Sequence, residues 1–331
     1  MSQFYCGHLS KSDMLFEFLR WEIFPQLGCD CRDGIRVFRT NGSNAVYIYE
    51  DRQTCQKVVG KFFRSDRQRD WNIARRRLER EFSNINEFRR YLGKYHYVAR
   101  PLGRNEDLGC LLVVEYCGGE ALDSVILRSI NSGKDSILYE KLTSLAYFLA
   151  TVHNRSVQGR GVDFNEQCRY FECMLQGIEE VTSRGERDAL WDLCSRWRND
   201  WAVWQDQEVL VHGDATPSNF LFGDGLHVIS FDMERVKRAD RCFDVGRLAA
   251  ELQHFFMRTT GNKYHAEKFI GHFLWEYCCH FPDRESAFKA VCSRIPFYMG
   301  STLLRISRNR YLDNNYRRRL VSEAFLTLER K

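Results

Sequence analysis

The run HGDATPSNFLFGDGLHVISFD, from His212 to Asp232, contains an aspartate, an asparagine soon after it, and a second aspartate at its end. His212 and Asp214 follow the apolar stretch VLV and precede a tight loop. Asn219 opens the next apolar run, NFLF, and Asp232 closes HVISFD. Two such runs around the turn Gly223-Asp224-Gly225 read as a hairpin, whose geometry can bring Asn219 and Asp232 side by side at the mouth of a sheet. An amide oxygen and a carboxylate are hard donors suited to Mg2+, which would in turn be held by phosphate oxygens. Asp214 is then left a separate task. It can accept a hydroxyl hydrogen bond and take that proton as phosphorus is attacked. The plain alternative is that Asp214 and Asn219 only close a turn.

Phosphates also need positive charge and backbone donors, and the N-terminal half offers both. Lys61 lies in VVGKFF, where an unpaired ammonium is costly, so it needs a phosphate or a carboxylate. The stretch LEREFSNINEF supplies Glu81, with Glu79 and Glu87 as alternatives. Glu81 fits best because it borders the face formed by Leu78, Phe82 and Ile85. Lys57 is the next lysine in line. The turn NGSN can present backbone N–H groups and the Ser43 hydroxyl to phosphate.

These residues need elements to position them. Ser10 or Ser12 can cap an opening helix, DMLFEFLRWEIF, which should end near Pro25. Short strands are expected at Gly34 to Thr40, Ala45 to Tyr49 and CQKVVGKFF. Their connections are too short for crossover helices, so the sheet should be antiparallel. A charged helix spans about Asp70 to Leu92, and YHYVARPLG and CLLVVEY add two strands. Gly118-Gly119 breaks the pattern and reads as a hinge. Beyond it, LYEKLTSLAYFLATVHNRS repeats Leu138, Leu142, Leu145, Leu149 and Val152 at helical spacing, with His153 as a packing or capping group. Three or more helices are expected between Asn165 and Trp204, and the chain is helical again from Asp244. The expected division is residues 1–117, a nucleotide-binding lobe, and 118–331, a helical catalytic and acceptor-binding lobe.

Composition narrows the class. The 331 residues suffice for one large domain or two ordinary ones, and 49 basic against 44 acidic residues give a net +5. That mild excess does not point to nucleic acid. Thirteen cysteines show no zinc spacing or disulfide framework and suit buried thiols in a reducing cytoplasm. The N-terminus lacks the pattern of a signal peptide, and no apolar run reaches the roughly 18 residues of a membrane span. Oligomeric state is not legible.

The chain resembles the aminoglycoside phosphotransferase and choline kinase group, relatives of the protein kinases. HGDATPSNFLF followed by ISFDME is similar to that group's H-G-D-x-x-x-x-N loop and D-x-E/D segment, and the resemblance spans about residues 34 to 250. It implies an α+β, two-lobed protein-kinase-like fold with a small antiparallel-sheet lobe and a larger helical lobe. It further implies ATP, or GTP, with Mg2+, and transfer of the γ-phosphoryl group to a small-molecule hydroxyl. By position, Asp214 is the catalytic base, Asn219 and Asp232 are the metal ligands, and Lys61 with Glu81 is the phosphate-binding pair. Asp244, in CFDVGRLAAEL, would brace the catalytic loop through backbone N–H groups. His212 would be structural within that loop. Backbone groups near Glu115 and Cys117, in VVEYCGGEAL, would meet the adenine. Glu234 either touches a second metal or supports the fold around it. Two departures from protein kinases favour the small-molecule branch: one glycine only in NGSN, and Gly213 and Asp232-Met233-Glu234 where protein kinases have arginine and D-F-G. An atypical protein kinase and a catalytically silent nucleotide-binding regulator are the rivals.

The acceptor should be walled by residues 160–204 and 250–331. A cationic acceptor, such as an aminoglycoside or amino alcohol, would use aromatic and acidic groups. Trp191, Trp197, Trp201, Trp204, Phe255 and Phe256 are candidates, with Glu179, Glu180 and Glu251. The basic stretch LLRISRNRYLDNNYRRRL suits either an anionic or sugar-phosphate acceptor, a partner, or a solvated helix face.

Overall fold

The structure, a computed structural model, describes residues 3–40, 45–65, 68–223 and 227–329. The NGSN turn with Ser43 lies outside the described residues, as do Asp224 and Gly225 of the hairpin turn. Two compact units are present. The smaller comprises Met1–Arg90, Tyr97–Gly118 and Ile229–Glu234; the larger comprises Tyr91–His96, Gly119–Val228 and Arg235–Lys331.

The smaller unit opens with β1 (Gln3–His8) and the short α1 (Met14–Phe18). Asp13 caps α1 by accepting from the Leu15 N–H, so neither Ser10 nor Ser12 is the cap. A π-type turn, Leu19–Ile23, and a 3-10 turn, Phe24–Leu27, continue it, with Pro25 in the latter's first turn. The strands β2 (Ile35–Thr40), β3 (Ala45–Asp51) and β4 (Lys57–Phe62) follow, then α2 (Trp71–Arg89) with Asp70 as its cap. After β5 (His96–Val98) come β6 (Pro101–Asn105) and β7 (Leu111–Glu115). One antiparallel sheet of six strands results, in the order β1-β2-β3-β4-β7-β6. The strand β1 is an addition to the sequence expectation. Phe4 and Tyr5 remain exposed on it, so its local pattern carries no burial signal, and its pairing with β2 makes it a strand. Leu15, Phe18, Leu19, Ile23 and Phe24 pack with Ile35, Val58, Leu111 and Val113 into a core on one sheet face.

The larger unit begins with β8 (Glu120–Ala121), α3 (Leu122–Ser132) and α4 (Ser136–Arg155). All five apolar positions anticipated on α4 are buried. Between 164 and 204 there are two α-helices, α5 (Phe164–Gln176) and α6 (Arg184–Arg198), and a 3-10 turn, Trp201–Trp204. The expected third helix is shortened to one turn, opened by the Asp200 side chain on the Ala202 N–H. Short strands β9 (Val209–Val211), β10 (Phe220–Phe222) and β12 (Lys237–Ala239) follow, and β11 (Val228–Ser230), between β10 and β12 along the chain, passes into the smaller unit at Ile229. β12 pairs antiparallel with β9, and β10 with β8. Then come α7 (Cys242–Thr260), α8 (Glu267–Cys278), α9 (Arg284–Ser307) and α10 (Asn314–Glu329). α7 is buried along most of its length and packs on α9, which packs on α10; α4 packs on α8. All thirteen cysteines are free. Seven are buried and four (Cys6, Cys55, Cys173 and Cys279) are exposed. Among the described residues no helix is long and apolar enough to cross a membrane.

Candidate active site

In the smaller unit one lysine organises the polar groups. Lys61 lies within β4, opposite Val46 of β3 and Leu112 of β7, and is only 9% exposed. A buried ammonium is costly unless paired. Its Nζ donates to Glu81 Oε2 at 2.6 Å and to Asp232 Oδ1 at 2.7 Å, and lies 3.8 Å from Glu234 Oε2. Glu81 reaches it because α2 turns Leu78, Glu81, Ile85 and Phe88 inward together. Glu79 instead faces Arg75 at 3.5 Å, and Lys57 faces Glu50 at 3.1 Å. Burial alone would pull the Lys61 ammonium down, but Glu81 and Asp232 outweigh it and hold it above its ordinary value. Burial pushes the Glu81 carboxyl up to about 7, against the pull of Lys61.

The segment carrying Asp232 is fixed in the same unit. Asp232 adopts the left-handed region (φ +62°), which aspartate tolerates better than most residues. Asn84 donates to the Met233 carbonyl at 2.7 Å, and Arg77 grips Glu234 with Nε at 2.7 Å and Nη2 at 3.0 Å. The carboxylates of Glu81, Asp232 and Glu234 each offer an oxygen within 4.8 Å of the others, a hard donor set that suits a divalent cation. Glu115, at the end of β7, accepts from the Tyr97 hydroxyl at 2.6 Å and the Arg100 N–H at 3.1 Å. Its own N–H donates to the Arg100 carbonyl. Cys117 is half-buried, and burial with the Glu115 charge pushes its thiol up to about 12.

In the larger unit the HGD loop hangs from Asp244. This carboxylate, fully buried near the start of α7, accepts from the His212 N–H at 2.6 Å and the Gly213 N–H at 3.0 Å. Burial would push it up, but His153, with His212 and its backbone N–H, holds it below the usual carboxylate range. His153 Nε2 lies 3.4 Å from Asp244, and its Nδ1 is 2.8 Å from the Tyr277 hydroxyl. Gly213 has φ +76°, and a Cβ there would lie 1.9 Å from the Arg235 carbonyl, so the loop admits only glycine at that point. The Asp214 N–H donates to His212 Nδ1 at 3.3 Å, and Asn219 Nδ2 donates to the Asp214 carbonyl at 2.9 Å.

Three arginines that the sequence reading did not assign here approach the Asp214 carboxylate. Arg247 Nη1 donates to Oδ1 at 2.8 Å and to the Gly213 carbonyl at 2.7 Å, while Nη2 donates to the Tyr170 hydroxyl at 2.9 Å. Its side chain is 1% exposed, and burial with the nearby Arg305 pulls the guanidinium down. Arg305 Nη1 lies 3.8 Å from Oδ1, and Arg235 Nε lies 3.9 Å from Oδ2. Arg247, which is buried, and Arg305, which is partly buried, each lie in a stretch that carries a signal. Arg247 is the one charged residue between Asp244 and Glu251 of the α7 motif, and a charge in an apolar run is a signal of buried pairing. Arg305 belongs to the basic stretch, which is not a uniform solvated face: Arg317 is buried and Arg310 is exposed.

The acidic and aromatic candidates for a cationic acceptor have partners or surroundings of their own. Glu251 pairs with Arg305, Glu180 with Arg310 and Arg317, and Glu179 lies 4.0 Å from Arg187. Trp197 packs on Phe297, Phe256 on Phe269, and Trp204 on Phe164, while Phe255 meets the edge of His254. Trp201 is 71% exposed, and Trp191 is exposed on α6.

A family model described as phosphotransferase enzyme family (APH) matches residues 34–281. No curated protein matches the chain. Among solved structures, an amicoumacin kinase in complex with AMP-PNP and Ca2+ is similar at 16% identity and TM-score 0.62, covering 97% of this chain and 93% of that one. An ethanolamine kinase of Plasmodium vivax is similar at 15% identity and TM-score 0.58, covering 89% and 81%. An aminoglycoside 2'-phosphotransferase bound to GDP is similar at 13% identity and TM-score 0.54, covering 93% and 95%. These likenesses establish the fold as α+β and protein-kinase-like, with an antiparallel-sheet unit and a helical one.

Proposed function

We propose that this chain, which belongs to the phosphotransferase enzyme family and so acts on an alcohol group, takes the γ-phosphoryl group of ATP and gives it to a hydroxyl of a small molecule. The observation that carries this reading is Lys61, a nearly buried ammonium gripped by Glu81 and by Asp232 from a distant stretch of chain. Such a cation, pre-oriented and dry, is worth far more to a phosphate oxygen than one in water. Nucleotide binding is assigned to residues 1–117, with Lys61 and Glu81 at the phosphates. The NGSN turn with Ser43 would add phosphate donors, and backbone near Glu115 and Cys117 would receive the base. Acceptor binding and catalysis are assigned to 118–331. Asn219 and Asp232 would hold Mg2+, with Glu234 a further carboxylate for a second ion. When bound, Mg2+ offsets charge on the β- and γ-phosphate oxygens. The AMP-PNP with Ca2+ in one neighbour and GDP in another support nucleotide and divalent-metal use, with GTP as the second donor to test.

Asp214 accepts the hydrogen bond of the acceptor hydroxyl and takes its proton. The new O–P bond forms as the bond from γ-phosphorus to the bridging oxygen breaks, and the nucleoside diphosphate leaves. Asp244 and Arg247 orient Asp214, and most of the rate comes from that positioning. Thirteen free thiols suit a reducing compartment, which supports a cytoplasmic location.

The test is a Mg2+-dependent ATP and GTP turnover screen over aminoglycosides, amino alcohols, sugars, nucleosides and sugar phosphates. Asp214→Asn should lower acceptor-dependent transfer by about 10²- to 10⁴-fold while nucleotide binding persists. Wild-type turnover in that variant would remove Asp214 from its role. Tight nucleotide binding without transfer to any acceptor would favour a silent regulator.

A further inference from the structure

We propose that the hydroxyl acceptor carries an anionic group, a phosphate or a carboxylate, received by Arg305 and Arg235 on either side of Asp214. This rests on Asp214 being the residue that meets the acceptor hydroxyl. Positive charge surrounds that carboxylate. Arg247 and Arg305 approach its Oδ1 at 2.8 and 3.8 Å, and Arg235 approaches Oδ2 at 3.9 Å. The carboxylates facing these arginines are Asp214 itself, Glu251, which pairs with Arg305, and the buried Asp244, which acts on Arg247.

A fourth cation lies beside these. Lys237, half-buried on β12, has its Nζ 4.2 Å from the centre of the Phe243 ring, which Arg247 also approaches at 4.8 Å. Lys237 makes no ion pair with a carboxylate among the described residues. Burial pulls the ammonium down, and Glu166, Asp244 and Glu208 act on it only beyond ion-pair distance. The Nε–H groups of Arg247 and Arg305 are buried and have no hydrogen-bond partner among the described residues.

A half-buried ammonium without an ion pair and buried guanidinium N–H groups without a hydrogen-bond partner are unfavourable, and an anion relieves them. The placement of the arginines matters as well. Arg247 is enclosed and committed to Asp214, Gly213 and Tyr170, which makes it a positioning residue. Arg305 and Arg235 retain exposed surface, with side chains 20% and 61% accessible, and they flank the carboxylate that is to hold the hydroxyl. An acceptor whose hydroxyl reaches Asp214 therefore brings its neighbouring substituents to these guanidiniums. When the hydroxyl proton passes to Asp214, the cluster gains one more positive charge, which an anionic substituent offsets and a cationic one worsens. Two acidic side chains that a polyamine could use are engaged: Glu251 by Arg305, and Glu180 by Arg310 and Arg317.

The experiment is binding and turnover on the full chain with saturating non-hydrolysable ATP analogue or ATP and Mg2+, respectively. Matched probes differ in charge: sugar phosphates, hydroxycarboxylates, the parent neutral sugars, and aminoglycosides with amino alcohols. The expected result is calorimetric binding of an anionic class at least tenfold tighter than its neutral parent. Arg305→Gln should weaken it about 10- to 100-fold, and Arg235→Gln, at the exposed position, about 3- to 10-fold with loss of salt sensitivity. The phosphate and carboxylate arms identify which anion is preferred. Because binding is read separately from turnover, anion binding that falls in both variants supports the inference even where no transfer is seen, and the failure then belongs to the catalytic reading. Anions bound no more tightly than neutral sugars, tighter binding of cationic compounds, or anion affinity that both variants leave unchanged would each overturn it. Arg235→Gln keeps the test decisive if Arg305→Gln does not fold.

Discussion

Replacing Arg247 by Met probes the positioning of Asp214 directly. The substitution keeps an apolar stem against Phe243 and removes three hydrogen bonds, to the Gly213 carbonyl, Asp214 Oδ1 and the Tyr170 hydroxyl, all between 2.7 and 2.9 Å. A charged hydrogen bond contributes about 1.5–3 kcal/mol net, and removing one partner of a buried pair costs about 3–5 kcal/mol. Two effects reduce that figure here. Asp214 is 20% exposed and regains some water, and Arg305 already lies 3.8 Å from the same oxygen. Relief of the guanidinium's own burial also offsets part of the loss. The expected net is about 2–4 kcal/mol, a fall of roughly 3–6 °C in Tm for a chain of this size. Release of the loop should also let the Asp214 carboxylate shift, and an error near 1 Å costs about 10²-fold in rate. The assay is urea unfolding beside steady-state kcat and KM for both substrates. The expected pattern is a lower urea midpoint and lower kcat with little change in KM for the nucleotide. Arg247→Lys, which keeps charge but loses the fork, should fall between. A Met variant with wild-type midpoint and kcat would refute the view that Arg247 holds the base.

Other outcomes follow from the same geometry. Lys61→Ala should raise KM for the nucleotide about 10- to 100-fold and leave acceptor affinity nearly unchanged; the opposite pattern in kinetics would point to Lys57. Gly213→Ala forces an L side chain to φ +76° and its Cβ against the Arg235 carbonyl, so it should cost about 2–4 kcal/mol in urea unfolding. A change under 0.5 kcal/mol would show that the loop is not held as described. Acid should weaken the protein partly through His96, whose imidazole is lowered to about 4, first by burial and then by Arg155. A group depressed in the folded state contributes stability above its unfolded value near 6.5 and loses it as pH falls toward 4, up to about 3 kcal/mol here. His96→Phe should flatten the fall in unfolding free energy across that interval, and an unchanged slope would assign the acid sensitivity elsewhere.

Much of this molecule is legible in its local pattern. The helical repeat of α4, the antiparallel run of β2 to β4, and the inward face of α2 all follow from which side chains can be buried at periods of 3.6 and 2. The HGD loop and its asparagine are equally local, because a tight turn, a glycine and short strands lie within a few residues of each other. Periodicity even ranked Glu81 above its neighbours, since facing inward depends on the helix alone. Partners across long separations are another matter. That Ile229–Glu234 joins the unit of Lys61 and that Arg247, Arg305 and Arg235 converge on Asp214 depend on how distant elements pack, whereas the bracing of the HGD loop by Asp244 was implied by the family resemblance. The first strand makes the same point, for Phe4 and Tyr5 are exposed and only the neighbouring β2 defines β1. Sequence by itself determined the elements, their inward faces and the chemical type of the central residues, because these depend on burial within a few turns of chain. Tertiary structure alone decided the charge around Asp214, because an arginine's energy is set by the carboxylates and water it meets, and its position along the chain names neither.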